Sequence, residues 1–165
     1  LTVYVTMEFR HLFEKGSVPR ESMKYVHFLV GLAILALIVV RIVARFKETA
    51  PAPDATSPRW QTLVANAAHV ALYVLMLVMP ILGWLLLSAK GGTVSILGLT
   101  LPALVDKNEQ LAEIFKALHY NISDLGLILI AVHIGGALVH HVVYKDRTLA
   151  RMMPAPSAEA PRIAT

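Results

Sequence analysis

The chain has 165 residues, of which 56% are hydrophobic and 16% are charged, with a net charge of +4. Soluble domains carry roughly 25% charged residues, so this composition, with a mean hydropathy of +0.63, indicates a small membrane protein without a soluble catalytic domain. The absence of cysteine excludes disulfides, iron–sulfur clusters and covalent attachment of a cofactor through C-x-x-C-H. The basic residues lie at the ends of apolar runs, which indicates interface anchors and excludes a nucleic-acid partner.

The first segment, about 1–13, is predicted to be the end of a membrane helix. Because the sequence enters an apolar stretch directly at Leu1, we expect the amino-terminal half of this helix to be missing. A polar connection follows over 11–24, in which Gly16 and Pro19 are expected to prevent a helix.

The second span is predicted over about 25–46. His27 opens it, and Gly31 follows one turn later on the same face, where a glycine either lets a flat cofactor approach the backbone or serves helix packing. Arg41 and Arg45 lie near its end, either reaching the lipid headgroups or pairing with the carboxylates of a cofactor.

The third span is predicted over about 61–88, after a proline-rich loop at 47–60. It is expected to bend at Pro80. His69 lies near its start and has three possible roles: a hydrogen-bonded structural residue, a group near a quinone or a metal ligand.

The fourth span is predicted over about 112–144, after an apolar flap at 90–112 that we expect to pack on the membrane surface. The domain would cover 1–150, followed by a disordered tail at 151–165. Basic residues are divided almost equally between the two sides of the membrane, so the positive-inside rule does not fix the orientation.

His119 and His133 lie 14 residues apart on the fourth span. Along a helix this spacing corresponds to roughly 21 Å, with both side chains on nearly the same face. Both are either polar groups bonded to carbonyls or axial ligands of two haems stacked across the bilayer. Because burying a histidine in a membrane is costly, a functional role is favoured.

The second and fourth spans enter the membrane from the same side, so His27 and His119 lie at similar depth and can share one haem iron. His133 then needs a partner near the other side, either from the missing half of the first helix, which we favour, or His69. His140 lies on nearly the same face beyond His133 and is either a quinone donor or an interfacial residue. Haems with two histidine ligands carry electrons and bind oxygen poorly.

The chain resembles the bacterial cytochrome b561 family of dihaem membrane cytochromes, and within it the superoxide oxidase group. The resemblance covers nearly the whole chain. It is carried by Met7-Glu-Phe-Arg10, the turn from His27 to Gly31, His69 with Tyr73, Leu118-His119, the segment from His133 to His141, and the tail Lys145-Asp-x-x-Leu149-x-Arg-Met-Met-Pro154.

This resemblance implies an all-α, multi-pass four-helix bundle in the bacterial inner membrane that binds two haems b when complete. His27 and His119 would be the iron ligands of the periplasmic-side haem, and His133 one ligand of the cytoplasmic-side haem. The remaining ligand would lie upstream of Leu1. His140 would lie at the quinone end.

The implied reaction is one-electron transfer from superoxide, or another periplasmic donor, to ubiquinone. Basic side chains near the periplasmic-side haem would attract an anionic donor. These are Arg10, Lys15, Arg20, Lys24, Lys90 and Lys116.

Two alternatives remain open. The first is a cytochrome b anchor subunit that docks a hydrogenase or dehydrogenase. The second is a haem-free bundle whose histidines relay protons.

Overall fold

A computed structural model describes residues 1–47, 58–96 and 98–145. Most of the predicted proline-rich loop and the tail at 151–165 with its motif lie outside the described residues. By compactness the chain divides into a first unit, Leu1–Leu127, and a second unit, Ile128–Thr165. The helices are α1 (Thr2–Phe9), a 3₁₀ turn (Arg10–Leu12), α2 (Val18–Lys47), α3 (Arg59–Ala89), α4 (Glu109–Val139) and a π-helical segment (His140–Tyr144), with a hairpin of β1 (Val94–Ile96) and β2 (Leu99–Leu101) between α3 and α4.

Three helical stretches are long and apolar enough to cross a membrane. They are Val18–Lys47, Arg59–Ala89 and Glu109–Tyr144. Each exceeds the roughly 20 residues that a bilayer core requires. The eight residues of α1 fall short of that length. The all-α membrane bundle is therefore confirmed.

The second helix begins at Val18, seven residues before its predicted start. Pro19 does not prevent the helix because it lies in the first turn, where a backbone N–H has no partner within the helix in any case. Gly16 does mark a turn, since its φ of +82° lies in the region that favours glycine. The expectation for Pro19 was therefore wrong, and that for Gly16 is confirmed.

The third helix is continuous from Arg59 to Ala89 and passes through Pro80. Hydrogen bonds connect its end to the following loop. The indole Nε1 of Trp84 donates to the Pro102 carbonyl at 3.0 Å, and the Leu104 amide donates to Ser88 Oγ at 3.1 Å. The Asn108 amide donates to the Ala89 carbonyl at 2.9 Å.

This loop contains an antiparallel hairpin in which Val94 pairs with Leu101 and Ile96 with Leu99. Val94 is buried, whereas Leu99 is 66% exposed. The sequence predicts an apolar flap here. It does not predict the paired strands, because strands of three residues are too short to show a periodic pattern.

The fourth helix begins at Glu109, three residues earlier than predicted, and Asn108 caps it. The Oδ1 atom of Asn108 accepts a hydrogen bond of 3.0 Å from the amide of Leu111. This bond satisfies one of the amides that the first helical turn leaves without a partner.

Replacing Asn108→Ala should therefore destabilise the protein by about 1 kcal/mol. The measurement is the thermal unfolding midpoint in detergent, followed by circular dichroism. Asn108→Asp is the matched control, because a carboxylate accepts the same bond and also interacts favourably with the helix dipole. Equal midpoints for the Ala and Asp variants would show that the cap contributes nothing.

Within the first unit, α2 packs against both α1 and α3. The hydroxyl of Tyr4 on α1 donates a hydrogen bond of 3.0 Å to the Ser123 carbonyl on α4. Gly126, also on α4, is buried, and a Cβ atom there would come within 2.9 Å of Tyr4 Oη and 2.8 Å of Leu75 on α3. A small residue at this position thus lets three helices approach one another closely, as is common in membrane bundles.

Candidate functional site

The structure brings together two of the predicted site residues, His27 on α2 and His119 on α4. Their ring centres are 6.2 Å apart, and the ring planes are inclined by 68°. The two histidines are separated by more than 90 residues in the sequence, so only the packing of the helices places them side by side. The sequence predicts that both histidines lie at a similar depth in the membrane, and in the structure their rings lie next to each other.

The ring of His27 is fixed by a backbone carbonyl. Its Nδ1 atom lies 2.9 Å from the carbonyl oxygen of Val3 on α1. A carbonyl can only accept a hydrogen bond, so Nδ1 carries the proton and donates it. The other ring nitrogen, Nε2, is then unprotonated in the neutral ring and can bind a metal.

The ring of His119 lies against α3. A Cβ atom added at Gly83 would lie 3.3 Å from its Cε1 atom, and the ring also approaches the backbone of Met79. The Nδ1 atom of His119 is buried and has no hydrogen-bond partner among the residues that the structure describes.

The geometry of the pair fits a haem iron. Two imidazoles that bind opposite faces of one iron through nitrogen bonds of about 2 Å have ring centres roughly 6 Å apart, close to the 6.2 Å observed. A Cβ atom at Gly31, one turn after His27, would meet nothing within 4 Å, so the backbone there is open to a flat group.

Other kinds of metal site fit less well. Within the described ranges, no group of three or more His, Cys, Asp or Glu side chains is able to hold a metal ion. A structural or catalytic zinc site generally uses at least three protein ligands. A porphyrin supplies four ligands itself and needs only the two axial ones, which His27 and His119 can provide.

The remaining candidates of the first unit lie away from this pair. His69 is exposed on α3 and lies 14 residues before Gly83, which corresponds to roughly 21 Å along the helix. Arg41 and Arg45 are exposed in the last two turns of α2, likewise about 21 Å or more beyond His27. None of the three is at the level of the His27–His119 pair.

The second unit contains the other predicted histidines. His133 and His140 are half-buried, and His141 is exposed. The ring of His140 packs against that of Tyr144 with centres 5.2 Å apart. This contact forms within the π-helical segment, which the sequence analysis did not predict; such segments are frequent at functional sites.

Several residues around the pair were missed by the sequence analysis. Val3 acts through its carbonyl, which carries no sequence signal. Gly83 lies within the long apolar third span and is marked only by its small size. Tyr120 accepts a hydrogen bond of 3.4 Å from Arg10 Nη2, and its position directly after His119 was the available signal.

The chain is similar to known proteins over most of its length. The family model for prokaryotic cytochrome b561 matches residues 1–155. The chain is similar to "Cytochrome b561 homolog 1" of Escherichia coli K12, with 34% identity over 92% of this chain and 86% of that protein. It is also similar to "Probable superoxide oxidase CybB" of Yersinia pestis, with 36% identity over 85% and 81%.

A third relative is "Cytochrome b561 homolog 2" of E. coli K12, with 33% identity over 81% of this chain and 71% of that protein. The family match covers nearly the whole chain, including both members of the histidine pair. Proteins of this family are membrane cytochromes that bind haem b and transfer electrons. The chain belongs to the prokaryotic cytochrome b561 family.

Proposed function

We propose that the chain is a dihaem cytochrome b that takes single electrons from superoxide at the periplasmic face of a bacterial inner membrane and delivers them to ubiquinone. The observation that carries this proposal is the His27–His119 pair, whose ring centres are 6.2 Å apart. The choice of superoxide is supported by the similarity to a protein named as a probable superoxide oxidase.

In this proposal His27 and His119 would hold the iron of one haem. His133 would be one ligand of a second haem, and His69 is a candidate for its other ligand. Bound haem b would supply reversible one-electron chemistry. The protein would hold the iron and tune its potential.

The two imidazoles would fill both axial positions of the iron, which leaves no position for binding oxygen. The hydrogen bond from His27 Nδ1 to Val3 would keep that ring in one tautomer and one orientation. This arrangement favours electron transfer over oxygen chemistry at the site.

An anionic donor would be attracted by basic side chains at this end of the bundle. Lys24 and Lys116 contribute less than the sequence analysis expected, because they form ion pairs with Glu21 at 2.7 Å and Glu113 at 2.9 Å. The basic residues that would contribute most are Lys15, Arg20 and Lys90.

In the second unit, His140 would bind a quinone carbonyl, with Tyr144 packed against its ring. Arg41 and Arg45 would either pair with the propionates of the second haem or contact lipid headgroups. Arg41 and Arg45 lie too far along α2 from His27 to contact the first haem.

The test uses the full-length protein purified from membranes. Superoxide generated enzymatically should reduce the haem, added ubiquinone should reoxidise it, and superoxide dismutase should prevent the reduction. Slow reduction that superoxide dismutase does not affect, together with co-purification of a redox subunit, would favour the anchor-subunit alternative and contradict the proposal.

A further inference from the structure

The side chain of Arg10 has an unusual environment. It follows the last residue of α1, and its Nε atom is buried without a hydrogen-bond partner among the described residues. Its Nη2 atom makes a long hydrogen bond of 3.4 Å to the hydroxyl of Tyr120. An unsatisfied charged donor shielded from water is costly, so this guanidinium is incompletely paired.

Arg10 also lies beside the proposed haem site. Its charge is close enough to interact with the ring of His27, and its hydrogen-bond partner Tyr120 directly follows His119 in the sequence. The guanidinium is therefore near His27 on α2 and contacts the residue that follows His119 on α4.

The backbone that carries Arg10 is held in place by a second arginine. The Nη1 atom of Arg20 donates to the carbonyls of Arg10 at 3.3 Å and Phe13 at 2.9 Å. Both carbonyls lie in the turn between α1 and α2, so the side chain of Arg20 stabilises this turn. Arg20 thus acts as a positioning residue, and the guanidinium of Arg10 remains available to a ligand.

We infer that Arg10 binds a carboxylate, namely a propionate of the haem held between His27 and His119. A guanidinium presents several N–H donors in a planar fork that matches the two oxygens of a carboxylate. The buried Nε atom faces protein rather than bulk water, so its partner must come from within the bundle. The propionates are the charged groups that a haem would bring there.

This inference rests on the proposed haem site, and its test is independent of turnover. Full-length protein is compared with Arg10→Gln and with the matched control Lys15→Gln, which removes one positive charge from an exposed residue of the same turn region. Redox titration gives the haem midpoint potentials. Redox-difference infrared spectra of protein with ¹³C-labelled propionate carboxyl groups report on the carboxylate itself.

Arg10→Gln should shift one midpoint potential to a more negative value, because a nearby positive charge favours the reduced iron. It should also shift the labelled carboxylate bands. Lys15→Gln should change neither, since solvent screens an exposed charge. Arg10→Lys should restore most of the potential but not the infrared bands, because an ammonium group keeps the charge without the fork.

Unchanged potentials and bands in Arg10→Gln would overturn the inference, as would equal shifts in Lys15→Gln. Slower reduction by superoxide with unchanged potentials and bands would assign Arg10 to the substrate anion instead and would also overturn it. If Arg10→Gln does not fold, infrared bands of Arg10→Lys identical to those of the wild type decide against propionate binding. Wild-type protein that binds no haem would contradict the proposed function itself.

Discussion

The variant His119→Ala should lose one haem b while the protein remains in the membrane. Alanine cannot ligate iron, and the remaining ring of His27 would hold the haem on one side only. The measurement is the haem content per protein, by the pyridine haemochrome assay, together with the reduced-minus-oxidised spectrum. His27→Ala should show the same loss, and the double variant should lose no more than either single variant, because both residues would hold one group.

The matched control is His141→Ala, which removes an exposed imidazole near the end of the same predicted span. Its haem content and spectrum should be those of the wild type. Full haem content in His119→Ala would contradict the assignment of the His27–His119 pair. An equal loss in His141→Ala would show instead that the spectrum responds to any change in this span.

The second large effect is expected at Gly126. Replacement by valine places a branched side chain where a Cβ atom alone would come within 2.8 Å of Leu75 and 2.9 Å of Tyr4. Overpacking of this kind typically costs about 1–3 kcal/mol. It should also separate Tyr4 from the Ser123 carbonyl, with the loss of a 3.0 Å hydrogen bond. The thermal unfolding midpoint in detergent should fall accordingly.

Gly136→Val on the same helix is the control for the change in helix propensity. A Cβ atom at Gly136 would meet nothing within 4 Å, so this variant should unfold close to the wild-type midpoint. If both valine variants unfold at the same temperature, the close contact at Gly126 does not limit stability.

The spans could be predicted from the sequence because lipid requires long, uncharged runs whose backbone groups bond within the helix. The pairing of His27 with His119 followed from the same logic. Spans that enter from one side place their first residues at one depth, and the two histidines lie at matching positions, nine residues after the start of α2 and ten after the start of α4. Both features could be predicted because the membrane fixes the depth of the residues along each span.

Other features depend on contacts that the sequence does not encode locally. The start of α2 was misjudged because Pro19 prevents a helix in its interior but not in its first turn. The carbonyl of Val3 and the approach of Gly83 to His119 are consequences of helix packing. The loop that carries the hairpin at 94–101 is bonded to α3 beyond its strands, where Trp84 Nε1 donates to the Pro102 carbonyl and Ser88 Oγ accepts from the Leu104 amide.

That hairpin also offers a way to determine sidedness. The chain has no cysteine, so Thr100→Cys would introduce a single thiol at an exposed position. The bonds that connect the loop to α3 keep this thiol at one end of that helix. A membrane-impermeant maleimide added to intact spheroplasts would then report which face of the bilayer the hairpin occupies, a question that the nearly balanced basic residues leave open.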